Sequence, residues 1–264
     1  MSVTVLHAPE TKRITAKAAK YLKKRKHDGL FLPFPKESTE FIVQFLEGIS
    51  YPYLMSQIKK ELDPILAPIG PWEQIFEPLL KSLSQIKAKN PKLQPFCYGD
   101  SSYAQFNTEN SSEIAALTLK VSLSKKVNIE EWVNIIQKDW RYREDALQRE
   151  IDFVILNATK QERNVCISSK GQYFVSKLQE EGYKTTLISI GQYSPTPIER
   201  LQKEVAQGNI SEKVIREFVL LHIQYVKNYV LTSANLEEAK YRWQIRKSFW
   251  KRLLFAIKKL SKTT

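Results

Sequence analysis

The chain has 264 residues, 41 Lys+Arg against 28 Asp+Glu for a formal net charge of +13, and two cysteines. A hydrophobic fraction of 42% with 11% aromatic residues can fill a core, which excludes wholesale disorder. Cys97 and Cys166 are too few for a disulfide scaffold or a zinc cluster, and both sit in apolar runs, so buried free thiols and a reducing cytoplasm are expected.

The chain opens with Val3-Thr4-Val5-Leu6, an apolar run that predicts a buried strand, and a Lys/Ala-rich helix follows over 11–26. Gly29-Leu30-Phe31-Leu32 predicts a second strand, closed by Pro33 and Pro35. Helical patterning returns over 37–62 and 71–88, with Pro64, Pro68 and Pro71 expected to break the chain between them. A third strand over 93–98 ends at Gly99-Asp100, and a helix is expected near 111–123. Asn128-Ile129-Glu130-Glu131 has the pattern of a reciprocal helix cap and should open a long helix to about residue 158. Residues 165–168 and 185–190 predict two more strands around a helix at 172–181. Strands alternating with helices argue for an α/β fold with a mainly parallel sheet, its strands buried on both faces. Beyond Gly191, Ser194-Pro195-Thr196-Pro197 reads as a linker or rigid turn, and helices are expected over 198–206, 211–231 and 235–260. The expected division is therefore an α/β core over 1–192 and a helical extension over 193–264. No stretch reaches the ~20 apolar residues of a membrane span, and the first ten residues lack a secretory-signal layout.

Functional residues in parallel α/β folds gather at the carboxyl ends of the strands. Those ends carry His7, Pro33–Pro35, Asp100, Ser168–Gly171 and Gly191. Thr4-Val5-Leu6-His7, Leu32-Pro33-Phe34-Pro35, Tyr98-Gly99-Asp100, the arginine-rich Trp140-Arg141-Tyr142-Arg143-Glu144 with Arg149, and Ile167-Ser168-Ser169-Lys170 follow one another in an order that resembles the TraB/PrgY–ChaN-like superfamily. The resemblance runs from Val3 to about Ile190. It implies a metal-dependent hydrolase site, but Pro33 stands where the family has an acid and Lys170 where it has its second His. His7 and Asp100 alone remain as ligands, too few to hold an ion and lower the pKa of its water. The resemblance thus implies an eroded pocket with no metal or cofactor. Were it an enzyme, His7 and Asp100 would be assisted by Arg143 or Arg149, with Arg141 a further candidate. His7 is otherwise expected to make one structural hydrogen bond, His27 to be solvated and His222 to be packed in an apolar helix. No phosphate-binding glycine loop, nucleophile elbow or zinc helix occurs. Ser168-Ser169-Lys170-Gly171 can hold a phosphate or be a plain strand-to-helix turn.

Positive charge concentrates in two places. Residues 240–262 hold nine basic residues and no acidic ones, among them Lys240, Arg242, Arg246, Lys247, Lys251, Arg252, Lys258 and Lys259. Lys240, Lys247, Lys251 and Lys258 fall on one helical stripe, with Trp243, Phe249, Trp250 and Leu253 on an apolar face. A second cluster, Lys20, Lys23, Lys24, Arg25 and Lys26 with Lys12, Arg13 and Lys17, lies on or just after the first helix. Two basic clusters with interleaved aromatics suggest sequence-independent contact with nucleic-acid backbone, to which Lys170 can contribute. The expected function is a non-catalytic nucleic-acid-binding or scaffolding subunit of a larger complex, with a protein partner and, by analogy, a prokaryotic defence setting. The alternatives are a divergent metal-dependent hydrolase and a peripheral membrane or partner-docking protein acting through its C-terminal helix.

Overall fold

The expected apolar runs form strands, and helices connect them. The computed structural model describes residues 1–66, 69–191, 193–208 and 210–246. β1 (Ser2–His7), β2 (Gly29–Pro35), β3 (Gln94–Gly99), β4 (Arg163–Ser168) and β5 (Lys184–Ser189) form one sheet in the order β3-β2-β4-β1-β5. Every pairing is parallel, as the continuous apolar runs imply.

The chain divides into two compact units, one of 1–111 with 141–192 and one of 112–140 with 193–264. The second begins beyond the expected break near 192 and also takes 112–140, which the sequence pattern assigns to the α/β core.

In the first unit the strands alternate sides. Leu6, Leu30, Leu32, Cys97 and Ile167 face one helical layer, where they meet Ile14, Leu22, Ile42, Leu54, Leu79 and Leu83. These come from α1 (Lys12–Leu22), α2 (Ser38–Leu46), α3 (Tyr51–Leu66), α4 (Ile69–Leu80) and α5 (Leu83–Lys89). Val3, Val5, Phe31, Tyr98 and Cys166 face the opposite layer, where Ile151 and Val154 of α7 (Ile129–Ala158) meet Phe174 and Leu178 of α8 (Gly171–Glu180). Both thiols are buried and free, and burial pushes Cys97 up to about 12 and Cys166 higher still.

Three boundaries differ from expectation for local reasons. α3 runs through Pro64, and Pro71 sits in the first turn of α4, where a missing N–H leaves no hydrogen bond unmade. α6 (Ser101–Ser124) starts ten residues before the expected 111, because the Asp100 carboxylate accepts from the Tyr103 N–H at 2.8 Å and caps it. The reciprocal cap expected at Asn128 is half made. Asn128 Oδ1 accepts from the Glu131 N–H at 3.4 Å, while the Glu131 carboxylate turns to Lys120 at 2.7 Å.

The complete reciprocal cap lies in the second unit instead. Thr196 and Glu199 exchange hydrogen bonds at the start of α9 (Pro197–Ala206), where the sequence reads as a turn. There Trp132, Ile136, Leu201, Ile215 and Val219 form a core, Ile215 and Val219 coming from α10 (Glu212–Tyr225). α10 continues as a π-helical turn, Val226–Val230, and a helix resumes over 236–246. His222 is packed between Trp132 and Tyr225, and burial lowers its pKa to about 4.

Candidate nucleic-acid interface

The two ends of the first unit's strands carry different chemistry. At the carboxyl edge, Asp100 is held by the Arg149 Nε at 2.7 Å, the Ser102 hydroxyl at 2.5 Å and the Tyr103 N–H. Burial alone would raise the Asp100 carboxyl, but these donors outweigh it and hold it at about 2. Arg143 donates to the Tyr103 hydroxyl at 2.8 Å. The Asp100 N–H donates to Glu150 Oε1 at 3.1 Å. Burial, joined by the Asp100 and Glu10 carboxylates, pushes Glu150 up to about 7 against the pull of the Asp100 N–H and Lys36. Glu150 can therefore exchange a proton near neutral pH, a property that no motif in the sequence signals.

His7 stands apart from this group. It ends β1, three strand positions from β3, so ~14 Å separates their ends at the usual 4.7–4.9 Å spacing. Among the described residues its buried Nδ1 has no hydrogen-bond partner, so the expected structural bond is not seen at that atom. Its Cβ lies against the start of α8, where a Cβ added at Gly171 would come within 2.8 Å. The donors that the TraB resemblance supplies do not fit a metal ion. Asp100 is committed to Arg149 and the α6 cap, His7 is on another strand, and among the described residues no group of three His, Cys, Asp or Glu side chains is placed to hold an ion. Lys170 ends the same edge, exposed, its N–H donating to the Ser168 hydroxyl at 3.0 Å.

The amino edge is basic. α1 ends at Leu22, and Lys23, Lys24, Arg25 and Lys26 form the turn into β2. Lys89 and Lys92 flank the α5–β3 turn, and Lys160 and Arg163 the α7–β4 turn. Backbone and amide bonds join these segments. The Asp28 N–H donates to Arg163 O and the Gln94 N–H to Asp28 O, both at 2.8 Å. Buried Asn90 accepts from the His27 N–H at 3.3 Å and donates to Ile86 O at 2.9 Å. Lys89 Nζ reaches Lys23 O at 3.5 Å, and Gln161 bonds Gln94 at 2.7 Å. The result is eight cations from three chain-distant turns, against Asp28 and Glu162 in those same turns. Arg163 grips Asp28 through two nitrogens at 2.9 and 2.8 Å and holds its carboxyl down, helped by Lys92. Arg25 lies over the Tyr21 ring at 4.5 Å.

His27, expected to be solvated, is instead buried beneath this edge and stacked beside Tyr21. Burial and the neighbouring Arg25 and Arg163 lower its pKa to about 4. The basic run conceals this in the sequence, because the chain turns inward between Lys26 and Gly29.

Within the first unit, the expected interface residues thus do not form one surface. Lys20, Lys23, Lys24, Arg25 and Lys26 lie on α1 or the amino edge, and Lys170 lies at the carboxyl edge, a six-residue strand of ~20 Å away. Sequence patterning gives no sign of Lys89, Lys92, Lys160 and Arg163, which only strand pairing brings to the cluster. In the second unit, Lys240 pairs with Glu199 at 3.7 Å, Arg242 donates to Thr232 O at 2.8 Å, and Arg246 donates to the Tyr229 hydroxyl at 2.8 Å. Trp243 packs edge-on against Tyr225 and Tyr229 and donates to Pro195 O at 3.4 Å, so it serves a core. Lys247, Lys251, Arg252, Lys258 and Lys259, with Phe249, Trp250 and Leu253, lie outside the described residues.

No protein-family model, curated protein or solved structure matches the chain. Among the described residues, no helix is long and apolar enough to cross a membrane.

Proposed function

We propose that the chain is a non-catalytic subunit that holds nucleic acid by its backbone, through the basic amino edge of a sheet resembling a TraB-like core. The observation that carries this reading is the convergence of Lys23–Lys26, Lys89, Lys92, Lys160 and Arg163 from three turns distant in sequence. A charge run on one exposed helix face needs no partner, whereas three turns built into one cationic rim form a surface complementary to phosphates. Lysines on turn backbones act as point charges, so the contact is salt-sensitive and indifferent to sequence. A protein partner and a prokaryotic defence complex are the setting that the TraB resemblance suggests.

Fluorescence anisotropy with labelled single- and double-stranded oligonucleotides over a salt series tests the proposal. Binding should weaken steeply with salt. Each of Lys24→Ala, Lys26→Ala, Lys89→Ala and Lys92→Ala should flatten the log–log slope by about 0.9 for duplex and ~0.7 for single strands, the share of one neutralised phosphate. Binding absent at low salt, or a slope unchanged in the quadruple variant, refutes the reading. Metal analysis addresses the hydrolase alternative, which requires stoichiometric zinc or manganese that disappears in His7→Ala.

A further inference from the structure

The two edges of the sheet are not equivalent. At β3 the Cys97 N–H donates to the Thr39 hydroxyl of α2 at 3.1 Å, and Pro95 removes a donor, so that edge is covered and blunted. β5 has neither device. Its sequence Lys-Thr-Thr-Leu-Ile-Ser contains no proline and one charge, at its first position. Lys184 N–H donates to Met1 O and Ile190 N–H to His7 O, so even-numbered residues face β1 and the amides of Thr185, Leu187 and Ser189 point outward. These three amides have no hydrogen-bond partner among the described residues. Leu187 is 39% exposed.

We infer that β5 pairs antiparallel with β5 of a second copy, joining the sheets across a two-fold axis. Antiparallel partners exchange bonds only between residues that both point outward, so odd must face odd. The register centred on Leu187 uses all three outward amides of each strand. It sets Leu187 against Leu187, Thr185 against Ser189, Thr186 against Ile188 and Lys184 against Ile190. No like charges meet. A single strand pair falls short of the ~1,200 Å² of a stable interface, so the dimer is weak, with a Kd of roughly 10–100 µM.

Sedimentation velocity of the full chain should show concentration-dependent dimerisation, at least tenfold weaker in Leu187→Lys, which sets two ammonium groups on the axis. Leu187→Cys should form an intermolecular disulfide on mild oxidation, because directly paired residues lie ~5.5 Å apart. Thr185→Cys should not, its two copies being four residues out of register; Cys97 and Cys166 are buried and stay silent. The cysteine variants keep the test decisive if Leu187→Lys does not fold. A chain monomeric at 200 µM, or equal crosslinking at 185 and 187, overturns the inference; protection of the three amides by an added peptide alone would assign the edge to an extended partner instead.

Discussion

Asp100 shows how one residue can be legible in type and misread in role. An Asp after the third strand, beside an arginine-bearing helix, has the composition of a ligand, yet it caps α6 and pairs with Arg149. Its neighbour Glu150 carries the less expected property. The folded carboxyl titrates near 7 against an ordinary value of 4.5, so the folded state keeps a proton that the unfolded chain has already released. Stability is therefore lost as pH rises from about 4.5 to 7. Glu150→Gln, which can still accept from the Asp100 N–H, should raise the thermal midpoint by roughly 3–6 °C at pH 8 and by little at pH 4.5, as read by calorimetry. His27 and His222 have the opposite sign. Both are lowered to about 4, so their contribution is present above 6.5 and lost as pH falls toward 4. His27→Gln should move the acid-unfolding midpoint to lower pH, followed by tryptophan fluorescence.

At the scale of elements, strong local signals were legible. The long helix expected over 128–158 is α7, Ile129–Ala158, because its apolar periodicity is sustained over 30 residues. Helix starts were less legible, since a cap depends on one side chain turning back to the backbone. Asn128 and Thr196 have equal claims by composition, and only Thr196 closes its box. The turn after α5 matters more to the proposed interface. Asn90 is 6% exposed and ties Ile86 O to the His27 N–H, which fixes the α1–β2 turn against the α5–β3 turn. Asn90→Ala should cost about 1–3 kcal/mol, the penalty for orphaning buried groups, in urea denaturation. It should also weaken oligonucleotide binding several-fold without removing a charge. Unchanged affinity would mean that the lysines act independently of the rim's geometry.

For the whole molecule, the charges behind the net +13 are held in different ways. Lys240, Arg242 and Arg246 bond within their own unit, while the amino-edge lysines are mostly exposed. Residues 247–264 carry six further cations and no acid. Removing them should lower affinity at low salt yet leave salt-dependent binding that Lys24→Ala, Lys26→Ala, Lys89→Ala and Lys92→Ala together abolish, checked by anisotropy on the truncated chain. The alternation of apolar runs and helical patterns by itself determined an α/β fold with a parallel sheet and buried thiols, because periodicity and burial preference are local properties of the chain. Strand order is not local. It places His7 three strands from Asp100 and gathers Lys89, Lys92, Lys160 and Arg163 beside Lys23–Lys26, while helix packing draws residues 112–140 into the second unit. Those adjacencies follow from hydrogen-bonded register between segments as far apart as Asp28 and Arg163, and only the folded backbone specifies which edges meet.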